Sequence, residues 1–318
     1  MQDNTIRDFN MNFNKIFYEK VLPALKPFEE ERLKTKKFVF IFNTILLSIA
    51  GIIALIFLGS CLCGHSYNSG ITQFVLFIII GLISACFFIY SWQKKKFENK
   101  LKERVMPILM PAFGNFRWTT IGLVNSIELE DSQVIPYFEK ISVDDNFAGS
   151  YKNVPIKISE LKLTYETRDS KGRRHEHTAF KGVVVVMEVP KIFKGHTIVK
   201  EKVLINSGPY KEVKLEDPEF SKKFHVRSND QIEARVLLTP SFMERYKNIQ
   251  KAFNARTINC SFLGQRLLLA IPVSKDLFAL GDLSKPVTDT NQFEIFLREI
   301  TTILELIEEL KLYENTGL

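Results

Sequence analysis

Two stretches, 38–59 (FVFIFNTILLSIAGIIALIFLG) and 71–92 (ITQFVLFIIIGLISACFFIYSW), each run 22 residues without a charged side chain. As helices at about 1.5 Å per residue, each reaches about 33 Å, enough to cross the hydrocarbon core of a bilayer. A helix of that length buried in a soluble core would show a polar stripe, and neither run does. A cleaved signal peptide fits poorly, because the first run begins only at residue 38 and exceeds a signal's apolar stretch. Asn43, Thr44, Ser48 and Ser84 supply polarity within the runs, but no Asp, Glu, Lys, Arg or His lies inside either. Proton relays and ion pathways need ionisable groups at membrane depth, so the pair reads as an anchor.

Charge orients the anchor. The chain carries a net charge of +7, and the basic residues gather at the outer flanks of the two runs. Arg32, Lys34, Lys36 and Lys37 precede the first; Lys94, Lys95, Lys96, Lys100, Lys102 and Arg104 follow the second; the connection 60–70 (SCLCGHSYNSG) has neither Lys nor Arg. The positive-inside bias therefore puts both termini in the cytoplasm and the short connection outside, with the chain as a multi-pass protein of the cell (inner) membrane. The basic patch at 94–104 then faces anionic lipid, at about 1 kcal/mol per charge. Nucleic acid is the weaker reading, since the patch lacks interleaved aromatics and any nucleic-acid motif. The four cysteines do not form the framework of a secreted disulfide domain. Cys61, Cys63 and His65 number three where a structural zinc site takes four ligands, so no metal and no cofactor is expected.

The expected organisation is a cytoplasmic amphipathic segment (1–37), the hairpin (38–92), a basic juxtamembrane segment (93–114) and a cytoplasmic α+β domain (115–318). In the first, Phe9, Phe13, Ile16, Phe17 and Val21 share one helical face, which must dock on lipid, on the C-terminal domain or on a second copy of the chain. The segment EKVLPALKPF (19–28) is echoed by ERVMPILMPAF (103–113) at an offset of 84 residues. The domain should hold a largely antiparallel sheet packed with helices. Its expected strands are 154–167, 180–189, 197–203, 224–227, 257–263 and 265–273, with hairpin tips at 168–179 and at Gly264. Ser228 or Asn229 can cap a short helix; Thr239 and Pro240 can open another to about Phe253. The pattern Phe296, Ile300, Ile303, Ile307, Leu310 marks a last helix over 291–312, its apolar face docked across the sheet or, as the alternative, in a coiled-coil seam that fewer than three heptads would make short.

Candidate chemistry is sparse. His175, Glu176 and His177 (RRHEH) lack the helical spacing of a metalloprotease site and fit a solvated hairpin tip. The adjacent pairs Asp144 with Asp145, and Glu216 with Asp217, point to opposite faces of a strand and make poor acid/base dyads. Asp217 before Pro218 suits a turn or helix start. Asp230, Glu233 and Arg235 form the candidate polar cluster, with Arg235 clamped on a carboxylate in a structural role. No catalytic residue can be named, because no phosphate loop, nucleophile elbow or paired CxxC is present.

The segments SVDDNFAGSYKNVPIKISELKL, FKGVVVVMEVPKIFKG and LEDPEFSKKFHVRSNDQIEARVLLTPSFMERY, with the two spans ahead of them, resemble the bacterial family DUF3137. That resemblance implies an anchor with a cytoplasmic domain, carries no known activity or catalytic residues, and implies at most a LemA-like membrane protein as partner. The expected function is a membrane-anchored cytoplasmic binding or scaffolding protein, which self-association would suit. The alternative is an anchored enzyme acting on a lipid or phosphorylated ligand at the membrane surface.

Overall fold

The computed structural model describes residues 11–63, 69–201, 210–274, 277–278 and 280–309. Two helices dominate the N-terminal part, α1 (Met11–Leu62) and α2 (Ser69–Leu109), the second closing in a 3-10 turn, Met110–Phe113. A π-helical turn, Phe17–Val21, interrupts α1 just ahead of Pro23, whose missing N–H breaks the ladder there. Both helices are long and apolar enough to cross a membrane. Their apolar side chains point outward: Leu55 is 70% exposed and Phe77 71%, which excludes a buried core helix.

The described residues group into two compact units. One holds the hairpin from residue 17 to 105 together with the segment 280–292. The other holds residues 11–16, 106–278 and 293–309 and contains the sheet. In chain order its elements are β1 (Arg117–Thr119), α3 (Ser126–Asp131), β2 (Lys140–Tyr151), β3 (Val154–Arg168), β4 (Arg174–Glu201), β5 (Lys211–Glu212), α4 (Pro218–Lys223), β6 (Phe224–Ser228), α5 (Gln231–Leu237), α6 (Pro240–Ala252), β7 (Asn259–Pro272) and α7 (Asn291–Glu309). The strands make one seven-stranded sheet in the order β1-β2-β3-β4-β6-β5, with β7 also paired to β4. Every pairing is antiparallel, so the α+β class holds.

The long strand β4 organises the sheet. Its first half pairs with β3, its last residues pair with β6, and β7 follows it from Gly182 to Val199. The expected strands at 180–189 and from 197 are thus one strand to Glu201, bent by register shifts around Phe193 instead of broken by a loop; 202–203 lie outside the described residues. Gly264 corrects the hairpin expected there: it takes a positive φ of 60° within continuous β7, opposite Phe193, and makes an irregularity in the ladder. Gly182 permits a close approach, since a Cβ there would sit 2.1 Å from the Ile271 carbonyl oxygen.

Alternation along the strands builds two apolar layers. Leu161, Leu163, Val184, Val186, Leu268 and Ala270 pack with Val124, Leu129, Val134 and Phe138 from the α3 region. Phe147 belongs to an aromatic cluster with Phe278 and with Phe296 of α7, and Phe113 reaches the same Phe296 ring. Phe296, Ile300, Ile303 and Ile307 are all buried, so α7 turns its apolar face inward as its spacing predicts; Leu310 lies outside the described residues. Phe13 packs 5.9 Å from Phe113, so this part of the amphipathic N-terminus docks on protein; Phe9 lies outside the described residues.

Candidate functional site

The built feature of the hairpin unit lies where α1 leaves its apolar run. Arg32, 4% exposed, donates from Nη1 to the Leu283 carbonyl at 2.7 Å, and from Nε and Nη2 to the Glu29 carboxylate at 3.0 and 2.6 Å. The same carboxylate accepts the Val287 N–H at 2.9 Å. Arg32 thereby holds the Glu29 carboxyl below its usual pKa. The two side chains sit three residues apart on one helical face, and together they fasten the segment 280–292, which joins β7 to α7. Gly281 lets that segment approach α2: its φ is +91°, and a Cβ there would lie 2.8 Å from Leu101 Cδ2.

Beside this clamp runs a groove of about 600 Å³. One wall is a stripe of α1 at helical spacing, Leu33, Lys36, Phe40, Asn43 and Leu47, joined by Lys37 and Thr44. Tyr90 of α2 and Leu283 and Ser284 of the clamped segment complete it. Neither Lys36 nor Lys37 forms a salt bridge with a described residue, although Lys36 acts electrostatically on Glu29, and the Asn43 Oδ1 is buried without a hydrogen-bond donor.

The basic patch does not act as one surface. Lys102 is 1% exposed and pairs with the equally buried Glu98 at 2.7 Å. Lys100 is bridged to Glu31 at 2.7 Å, Lys96 lies over the Trp92 ring, and Lys94 acts electrostatically on Asp282. Lys95 is half-buried, while Arg104 is exposed. Lys102 is therefore a structural cation, and the lipid-facing reading fails for it.

In the sheet unit, Asp230, Glu233 and Arg235 do not come together as one cluster. Asp230 caps α5 by accepting the N–H groups of Ile232 and Glu233, and it displaces Ser228 and Asn229 from the capping role expected of them. The buried Glu233 carboxylate accepts from the Lys194 and Gly195 backbone amides at 3.0 and 2.7 Å. Arg235 is exposed and makes no ion pair with either. The helical spacing that suggested a pair places Arg235 on the outer face of α5, while the backbone of β4 satisfies Glu233 instead. Asp217 caps α4, as the following proline implies. Asp145 is buried and accepts from Trp118 Nε1 at 2.7 Å. His175 is near Asp169, whereas His177 meets Thr167 and stacks on Tyr165, so the two imidazoles serve separate contacts. Among the described residues, no group of three or more His, Cys, Asp or Glu could hold a metal. Cys61 and Cys63 are exposed near the end of α1, and His65 lies outside the described residues.

One constellation escaped the sequence reading. His196 of β4 is 4% exposed; its Nδ1 is 3.1 Å from the Tyr210 hydroxyl and its Nε2 2.9 Å from Ser261 Oγ. Burial pushes the imidazole pKa down. A Ser–His contact invites comparison with an activated nucleophile, but the cavity beside Ser261 is about 10 Å³, room for one water. No local pattern links positions 196, 210 and 261, so only the pairing of β4 with β7 could reveal it.

Comparison with known proteins adds little chemistry. No curated protein matches the chain. A crystal structure of the mycobacterial trehalose monomycolate transport factor A, TtfA, is similar at 10% identity over 57% of this chain and 79% of that one, with a TM-score of 0.33. A likeness that low carries no argument about fold or role. The span 178–312 matches the family model described as "Protein of unknown function (DUF3137)". That span takes in most of β4, all later strands, the clamped segment and α7, and over it the chain is similar to the DUF3137 family, as the resemblance seen in the sequence implies.

Proposed function

We propose that the chain is a membrane-anchored binding or scaffolding protein whose hairpin sits in the cell membrane and whose α+β domain faces the cytoplasm with both termini. The observation that carries this reading is the clamp: the connection between the sheet's last strand and the last helix is fastened by Arg32 and Glu29 to the base of α1. A catalytic domain that merely needs to stay near a membrane can hang on a flexible tether. A buried, charge-assisted attachment of that connection suits a binding role better than a loose tether does. The His196–Ser261 contact supports the alternative of an anchored enzyme less well, because its cavity has no room for a substrate. The LemA-like partner implied by the resemblance, a second copy of the chain, or another membrane protein would serve as the bound component.

Orientation and binding are tested on the full-length protein in its own membrane. Cys61 should react with an impermeant thiol reagent applied from outside, whereas a cysteine placed at the exposed Lys222 should react only after permeabilisation. Cysteine crosslinking from position 222 should then yield a stoichiometric protein adduct. Labelling of position 222 from outside, or the absence of any adduct alongside turnover of a lipid substrate, would overturn the proposal.

A further inference from the structure

The groove beside the clamp has the chemistry of a lipid site, and its lining is graded along the helix. Phe40 and Leu47 make an apolar wall within the uncharged run. Lys36 and Lys37 stand at the end of that wall where the run stops, both exposed and neither in a salt bridge with a described residue. From Lys37 to Leu47 the helix rises about 15 Å, close to the depth of one bilayer leaflet. A ligand that fills it must be amphipathic, with an anionic head at the lysines and a hydrocarbon body against Phe40 and Leu47.

Two further features separate this groove from ordinary helix surface. The Asn43 amide makes no hydrogen bond with a described residue, and its Oδ1 is shut off from solvent. The N–H₂ group is the part of that amide open to a ligand, and the ester carbonyl of a glycerolipid can accept from it at that level. The groove also has a roof: Leu283 and Ser284 come from the clamped segment and Tyr90 from the other helix. Bulk lipid needs no such enclosure.

We propose that the groove lined by Lys36, Lys37, Asn43, Tyr90 and Leu283 binds one anionic glycerophospholipid, its phosphate on the two lysines and one acyl chain along α1. The site rests on the membrane-anchored reading and adds to it a specific ligand that touches the segment leading to α7. Occupancy would then act on the clamp, since Leu283 both lines the groove and gives its carbonyl to Arg32.

The test uses full-length protein in nanodiscs of phosphatidylcholine doped with a photoactivatable phosphatidylglycerol. Crosslinked peptides should map to the α1 stripe or to Tyr90, and unlabelled phosphatidylglycerol should compete far better than added phosphatidylcholine. Lys36→Gln with Lys37→Gln should weaken labelling by about tenfold or more. Lys95→Gln with Lys96→Gln removes the same charge and should leave labelling intact. Equal competition by both lipids, an equal loss in the control pair, or competition by soluble glycerol phosphate would each overturn the site. Recovery of the protein outside the nanodisc would instead defeat the anchored reading itself, so the two failures are distinguishable.

Discussion

Replacing Arg32 by Met removes the guanidinium while keeping most of the aliphatic stem. The side chain is 5% exposed and makes three charge-assisted hydrogen bonds, two to a Glu29 carboxylate that is 29% exposed and one to the Leu283 carbonyl. Breaking a fully buried pair costs about 3–5 kcal/mol. Water reaches part of the Glu29 carboxylate, so a local cost of about 2 kcal/mol is the better figure here. That corresponds to about a 30-fold rise in the open population of the segment 280–292. The Val287 amide donates to Glu29 and reports the opening directly by hydrogen exchange in nanodiscs. The expected result is exchange about 30-fold faster at Val287, with the β4 amides of Val184 and Val186 unchanged. Acid should imitate the mutation: the Glu29 pKa lies lower in the folded chain than unfolded, so its contribution is full above the ordinary carboxylate range and fades as pH falls through the folded value. Unaltered Val287 exchange in a folded Arg32→Met protein would refute the clamp.

Arg235→Ala should leave thermal stability within about 0.5 kcal/mol of the parent, since the side chain is exposed. Glu233→Ala, which strips two backbone amides of their acceptor, should cost about 1–3 kcal/mol by the same denaturation assay. Gly182→Ala should abolish folding or reduce stability by more than about 2 kcal/mol, measured by soluble yield and Trp118 fluorescence, because the new methyl meets the Ile271 carbonyl. His196 is held neutral by burial, so the folded form binds its proton less readily than the unfolded. Stability should therefore be complete above about pH 6.5 and decline as pH falls through the lowered folded value, and His196→Gln should flatten that decline.

The hairpin and α7 were legible because one physical signal, uncharged length or a 3.6-residue apolar period, dominates each. Strand β2 was not. Its core segment SVDDNFAGSY mixes Asp144, Asp145 and Asn146 with a single large apolar residue, Phe147, and so shows no clean alternation. Tertiary partners make it a strand: Asp145 is satisfied by Trp118, and the Asn146 Oδ1 accepts from Ser159 Oγ of β3 at 2.6 Å. The break expected between 189 and 197 failed because PKIFKG carries Pro190 and Gly195, normal loop residues, while β6 and β7 hold the far end of β4 in place. Arg235 misled for a related reason. Spacing on α5 brought it near two carboxylates in sequence, but both found backbone N–H donors first.

The same competition for partners explains what became of the positive charge after α2. A run of cations beside an apolar span is read as a lipid-facing patch when each charge is free to reach the headgroups. Here acidic residues intercept part of it: Glu98 takes Lys102 in a buried i,i+4 pair, and Glu31 of α1 takes Lys100 across the hairpin. The first pair lies within α2, whereas the Lys100–Glu31 pair joins the two helices of the hairpin at one register. Lys36 and Lys37 on α1 form no salt bridge with a described residue and stand next to the groove and the clamp, Lys36 acting electrostatically on Glu29. A reading by composition counts all these lysines alike; the pairing divides them into those that set the hairpin's geometry and those still available to an anionic ligand.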